Sequence, residues 1–149
     1  MPSIIPSYIY VLFACVIVGT IVICACGIAT LSIKTNADQQ QLTNLVQYIA
    51  AESNALVLQA TRDNANSTVY LNLPANVGNQ QYWIQIKNDS SRAWVTAGFG
   101  SIQASSNQRT YIPADVVASG LYTSYSGLAV LQCQTDGSNV NLTINGANM

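Results

Sequence analysis

The N-terminal part of the chain is a long apolar segment without a charged residue. Residues 8–33 contain no Asp, Glu, Lys or Arg, and the first charged residue is Lys34. At about 1.5 Å per residue, a helix over this segment would be roughly 39 Å long, more than the ~30 Å hydrocarbon core of a bilayer. Because so much apolar surface is unfavourable in water, we expect lipid or other copies of the same helix to cover it.

A cleaved signal peptide is the first alternative for this segment. Secretory signals combine a basic start, an apolar stretch of 7 to 15 residues and a small-residue cleavage site. Residues 1–7 contain no Lys or Arg, and the apolar segment is about twice too long for such a signal. The pattern therefore favours a permanent helix. Lys34 alone would favour a cytoplasmic head, whereas the composition of the rest of the chain favours an exported one.

The helical pattern continues beyond the apolar segment. From Asp38 to Ala60 the apolar residues follow the three-to-four spacing of one helix face, and no Pro or Gly interrupts residues 28–73. We predict one helix from about residue 7 to about residue 60, with a possible joint at 34–38. The apolar face of its second half is expected to pack on the head through Leu42, Leu45, Val46, Ile49 and Leu56.

After Ala60 the pattern changes to the alternation of β-strands. Six short strands are predicted, at 68–73, 81–87, 93–97, 109–112, 128–133 and 139–144. The last two flank Asp136-Gly137, a turn dipeptide that predicts a hairpin. The predicted fold class is α+β, with a long hydrophobic helix followed by a small antiparallel, sandwich-like head. The corresponding domains are residues 1–60 and 61–149.

Composition and charge argue against catalysis and nucleic-acid binding. Charged residues make up 7% of the chain, and its five cations are scattered along the sequence. The chain has no histidine, and its six acidic residues occur singly. Histidine-based catalysis and common zinc sites are therefore excluded. We expect no enzyme activity, no metal and no cofactor, and no nucleic-acid partner.

Cysteines and sequons are the remaining candidates for chemistry. Cys15, Cys24 and Cys26 lie in the apolar segment and Cys133 in a predicted strand. We interpret them as small buried apolar residues, with an intermolecular disulfide or a lipidated thiol as the alternative. Three Asn-x-Ser/Thr triplets make Asn66, Asn88 and Asn141 candidate glycosylation sites. Asn88 is the best of these, because it falls between two predicted strands.

The layout resembles the type IV pilin superfamily, and in particular archaeal pilins and archaellum-related proteins. The apolar helix continues into an amphipathic half, and the segments 71–74, 82–86, 111–113 and 140–144 are similar to strands of those head domains. No basic leader with a peptidase site precedes the helix, and the glutamate of the bacterial members is absent. Archaeal members lack that glutamate as well. The missing leader implies a processed N-terminus or a membrane-anchored relative.

The resemblance implies a structural subunit of an extracellular filament for adhesion or motility. Its partners would be copies of itself, the membrane before assembly, and surface glycans or an S-layer. The alternative is a single-pass membrane-anchored accessory protein, such as a stator or minor component, that binds the envelope through its head. In the filament, the residues expected to pack in the helical core are Val11, Ala14, Cys15, Val18, Gly19, Val22, Ala25, Cys26 and Ala29.

Overall fold

A computed structural model describes residues 5–89, 92–100, 109–112, 116–136 and 139–147. Its first element is the helix α1, Ile5–Asp63, which extends beyond the predicted bounds at both ends. The helix includes residues 34–38, where the sequence predicts a possible joint. The chain divides into two compact units, Met1–Asp38 and Gln39–Met149, so that the amphipathic half of α1 groups with the strands.

A residue in the left-handed backbone conformation follows the last residue of α1. Asn64 has a φ of 47°, and the Ala65 N–H donates to the carbonyl oxygen of Ala60 at 3.3 Å. This is the Schellman arrangement, in which an Asn or Gly after the last helical residue turns the chain out of the helix. Arg62 in the last turn also interacts favourably with the negative end of the helix dipole. The helix thus ends at a defined cap, just before the first strand.

Seven strands form one sheet. They are β1 Ser67–Leu71, β2 Tyr82–Asn88, β3 Ala93–Phe99, β4 Thr110–Ile112, β5 Val117–Thr123, β6 Leu128–Asp136 and β7 Asn139–Ala147. Their order across the sheet is β1-β6-β7-β5-β2-β3-β4. Neighbours are antiparallel except β5 and β7, which are parallel. The α+β fold class is therefore confirmed, with all described strands in a single sheet.

The strand prediction missed β5. This strand alternates buried Ala118 and Tyr122 with exposed Ser119 and Leu121, but Gly120 interrupts the alternation. Glycine weakens a strand pattern, and small polar neighbours resemble a loop. The predicted hairpin is confirmed by the pairing of β6 with β7 out to Asp136 and Asn139, whereas its turn, residues 137–138, lies outside the described residues.

The second layer of the head is helical rather than a second sheet. One face of the sheet, here called the inner face, contributes residues such as Ile84, Val95 and Leu131 to a single hydrophobic cluster. The amphipathic half of α1 supplies the remainder of that cluster. Because strand side chains alternate, Trp83, Gln85 and the other intervening residues belong to the opposite, outer face. The head therefore consists of one seven-stranded sheet with the amphipathic half of α1 packed on its inner face.

Candidate functional site

The apolar segment of α1 is exposed on all sides in the single chain. Every large apolar side chain from Tyr8 to Ile33 is more than half exposed, with values from 52% at Ile17 to 76% at Tyr8. Among the described residues, α1 is the one helix long and apolar enough to cross a membrane. Such a helix is compatible with membrane insertion and with a signal sequence.

Small side chains occupy one side of this segment. At about 100° of rotation per residue, the nine residues expected in a filament core fall within an arc of roughly 140°. Between positions 11 and 29 this arc carries nothing larger than valine, whereas Leu12, Phe13, Ile23 and Leu31 lie on the remaining surface. All nine residues are exposed, so no other described residue of the chain covers this small-residue arc.

The hydroxyl groups of the segment are satisfied within the helix. Thr20 Oγ1 lies 2.8 Å from the carbonyl oxygens of both Val16 and Ile17, and Thr30 Oγ1 lies 2.9 Å from that of Cys26. Such bonds to the preceding turn let Ser and Thr enter apolar surroundings without an unsatisfied donor. The threonines therefore do not prevent the segment from being covered by lipid or by another helix.

The amphipathic half of α1 forms the inner layer of the head. Leu42, Val46, Ile49 and Leu56 are buried in the cluster that contains the inner-face sheet residues, and Leu45 packs against it half-buried. Burying each large side chain contributes about 1.5–3 kcal/mol to folding. Leu58, on the other side of the same helical turn, is 61% exposed. These contacts are part of the fold of the head, so the head includes this half of the helix.

The three sequon asparagines lie in different settings. Asn88 is the exposed last residue of β2 and shares the inner-face side with Ile86, so it ends a strand instead of lying in a loop. Ser90 of its sequon lies outside the described residues. Asn66 is exposed, and its Oδ1 accepts a hydrogen bond from the Thr135 N–H at 3.2 Å. Asn141 points outward from the middle of β7, which is paired on both sides.

The cysteines divide into two groups. Cys133 is completely buried on the inner face, and burial raises the pKa of its thiol. Cys15, Cys24 and Cys26 lie in the apolar segment of α1 and are exposed in the single chain. Among the described residues, no three His, Cys, Asp or Glu side chains form a group that could hold a metal ion.

Sequence analysis missed a group of cations and aromatic rings at one edge of the sheet. Arg109 Cζ lies 4.9 Å from the ring centroid of Trp94, and Arg92 Cζ lies 5.9 Å from that of Tyr111. The two rings meet edge to face at 6.4 Å. Arg92-Ala93-Trp94, which leads into β3, and Arg109-Thr110-Tyr111, which leads into β4, share the pattern cation–x–aromatic. This repeat could have indicated the group from sequence alone, because residues two positions apart in a strand lie on the same face.

Comparison with known proteins identifies no relative. No family model, no curated protein and no solved structure matches the chain.

Proposed function

We propose that this chain is the structural subunit of an extracellular, pilus-like filament. The observation that carries the proposal is the helical segment from Tyr8 to Ile33, which is charge-free and exposed on every side. In the filament, these segments from neighbouring copies bury their apolar surfaces against one another. A dozen large side chains at about 1.5–3 kcal/mol each make such an assembly very resistant to dissociation.

The small-residue arc supports packing between copies of this helix. Val11, Cys15, Val18, Val22, Ala25 and Ala29 follow one another at intervals of four and three residues, the spacing of a coiled-coil seam. Small side chains on such a seam let two backbones approach closely, which is how helices associate in an apolar environment. A helix surrounded only by lipid does not need smaller side chains on one side than on the other. The arc therefore favours a helical neighbour on that side.

The heads form the outer surface of the proposed filament and meet surfaces or neighbouring cells. Contacts between different patches of successive subunits do not close on themselves, and repeated along one axis they generate an open helical polymer. Charged residues make up 7% of the chain, so electrostatic repulsion between subunits opposes such lateral packing only weakly. Before assembly, each subunit would be held in the membrane by the same segment.

The second candidate is a single-pass anchored accessory protein that binds the cell envelope through its head. Tyr8 and Tyr10, both 76% exposed, lie at one end of the apolar segment, and Lys34 follows its other end. Tyrosines and cations flank membrane spans at this depth, so the ends favour insertion. A filament subunit passes through the same inserted state. The two candidates differ in whether the helix afterwards packs against copies of itself outside the membrane.

A pair of size changes at adjacent residues tests assembly. Ala25→Leu enlarges a side chain in the small-residue arc, whereas Cys24→Leu makes a similar change on the opposite side of the helix. Each variant is expressed, its membrane level is equalised by immunoblot, and the protein sheared from cells is sedimented without detergent. We expect Ala25→Leu to lose at least about tenfold in sedimentable protein, equivalent to about 1.4 kcal/mol, and Cys24→Leu to stay near wild type. Equal yields from both variants would contradict packing through the arc.

A further inference from the structure

The outer face carries a compact cluster at the β3–β4 edge, which we call the cation–aromatic cluster. It consists of Lys87, Arg92, Trp94, Arg109 and Tyr111. Trp94 is the cross-strand partner of both Lys87 in β2 and Tyr111 in β4, so these three side chains stand side by side on one face. The guanidinium groups lie over the rings, and Tyr111 is 49% exposed. Three of the five cations of the chain thus meet in one place.

The cations of the cluster are held in a way that leaves their donors accessible. Arg92 and Arg109 are both exposed, and a cation–π contact does not use the N–H donors of a guanidinium group for hydrogen bonds. The nearest acid in sequence, Asp89, uses Oδ1 to accept the backbone N–H of Arg92 at 3.0 Å. The cluster therefore offers an anion several charged donors that are already positioned.

A row of polar side chains continues from the cluster across the outer face. Register pairs Thr68 with Gln132, Gln132 with Thr143, and Thr143 with Ser119. Ile86 pairs with Gly120, so continuing this antiparallel register by one residue brings Ser119 beside Lys87. All four polar side chains are at least partly exposed. At about 4.8 Å between strands, the row from β1 to β4 is roughly 29 Å long.

We propose that this row and the cation–aromatic cluster bind an acidic polysaccharide, a linear glycan bearing carboxylate or sulfate groups. Hydroxyl and amide side chains suit sugar hydroxyls, the ring edges and faces of Trp94 and Tyr111 suit the apolar faces of pyranose rings, and guanidinium groups bind carboxylate or sulfate bidentately. The elongated row matches a chain polymer better than a compact ligand. The inference rests on the proposed function only in placing the head outside the cell.

The position of the cations favours a glycan over a nucleic acid. The cations are gathered at one end of the row, so a strand lying along it would leave most of its phosphates without a cation. The ligand needs negative charge only where it contacts the cation–aromatic cluster. An acidic sugar polymer satisfies this with a few acid groups near one end.

The test measures binding of the full chain, held in non-ionic detergent, to immobilised polymers. Polygalacturonate is the acidic probe, dextran the neutral one, and double-stranded DNA the alternative polyanion. Arg109→Gln and Trp94→Ala alter the cluster. Arg62→Gln removes an exposed cation elsewhere, and Tyr125→Ala removes a tyrosine that is 74% exposed outside the row. Circular dichroism of every variant verifies that the head is folded.

We expect the wild type to bind polygalacturonate and not dextran, with binding that weakens as salt increases. Arg109→Gln and Trp94→Ala should each weaken it about tenfold or more, and the two control variants should stay within about twofold of wild type. Absence of binding, equal binding of dextran, tighter binding of DNA, or an equal loss in Arg62→Gln would each overturn the proposal. Because the assay uses detergent-held single chains, its result is independent of whether filaments form.

Discussion

Gly120 in β5 lies directly against the backbone of Ile144 in β7. A Cβ atom at position 120 would overlap the carbonyl oxygen of Ile144 and come within 2.8 Å of its nitrogen. Gly120 also has a φ of 132°, a conformation that other residues rarely adopt. This close approach lies in the one parallel strand pair of the described sheet. Glycine is therefore required where the two strands join the two halves of the sheet.

Gly120→Ala should destabilise the head by about 2 kcal/mol or more, because both the backbone conformation and the β5–β7 contact are strained. Urea unfolding of the full chain in non-ionic detergent, followed by tryptophan fluorescence, measures the change. Gly19→Ala is the matched control, since nothing lies within 4 Å of a Cβ added there. A wild-type midpoint for Gly120→Ala would show that the two strands are not held this closely.

Local sequence pattern predicted most of the elements for identifiable reasons. The first half of the long helix follows from its charge-free apolar run, and its second half follows from three-to-four spacing with no Pro or Gly between residues 28 and 73. The β6–β7 hairpin follows from the Asp136-Gly137 turn between alternating segments. β5 was missed because its alternation is broken at Gly120. Glycine is needed at position 120 because of the close contact with Ile144. Residues 120 and 144 are far apart in sequence, so no local sequence pattern reveals this contact.

The same limit applies to the surfaces. The amphipathic stripe through Ile49 could be read from the helix alone, and so could the small side chains near Val18. The two cation–x–aromatic repeats were readable, but their meeting in one cluster was not, because Lys87, Arg92 and Arg109 come together through the pairing of three strands. Strand alternation fixes the face of each residue, but register fixes which residues become neighbours.

The contact between α1 and the sheet predicts a difference between two residues of the same helix. Ile49 is completely buried and Leu58 is 61% exposed. Ile49→Asp would bury an unpaired charge and is expected to destabilise the head by about 3 kcal/mol or more. Leu58→Asp should change stability by no more than about 0.5 kcal/mol. Thermal melting of the two variants measures both effects. Similar melting temperatures would contradict the assignment of Ile49 to the buried side of the helix and of Leu58 to its exposed side.

The buried tyrosines predict loss of stability at high pH. Burial, and secondarily the charge of Tyr122, raises the pKa of Tyr82, and burial raises the pKa of Tyr122. Their hydroxyls donate to the carbonyl oxygens of Pro74 at 2.6 Å and Gly127 at 2.8 Å, respectively. The ordinary pKa of both is 10.0, so above that pH the unfolded chain loses protons that the folded chain retains.

Stability should consequently be constant with respect to these two groups below about pH 9 and fall as the pH increases above about 10. The urea midpoint of the full chain at pH 8 and at pH 11 measures the fall. Tyr122→Phe should make the fall smaller, and Tyr125→Phe, which removes an exposed hydroxyl, should leave it as in wild type. A midpoint that is equal or higher at pH 11 would be inconsistent with burial of the two hydroxyls.

Asn88 is predicted to carry a glycan in native material. It is exposed at the end of β2, and strand alternation turns it away from the outer face that carries the proposed polysaccharide site. Asn141 projects from that outer face, so we expect it to be unmodified. Peptide mass spectrometry of protein from the native source, with Asn88→Gln as the control, distinguishes the two positions. An unmodified peptide spanning residues 86–92, or a glycan on Asn141, would contradict this assignment.

Electron microscopy of material sheared from the cell surface tests the central claim most directly. The preparation contains no detergent, and an antibody to the head identifies the chain in negatively stained images. A helix that is apolar on every side from Tyr8 to Ile33 predicts thin fibres labelled along their whole length, with the heads outermost. Recovery of the chain only from membranes, as single molecules that require detergent, would contradict the filament and favour the anchored protein.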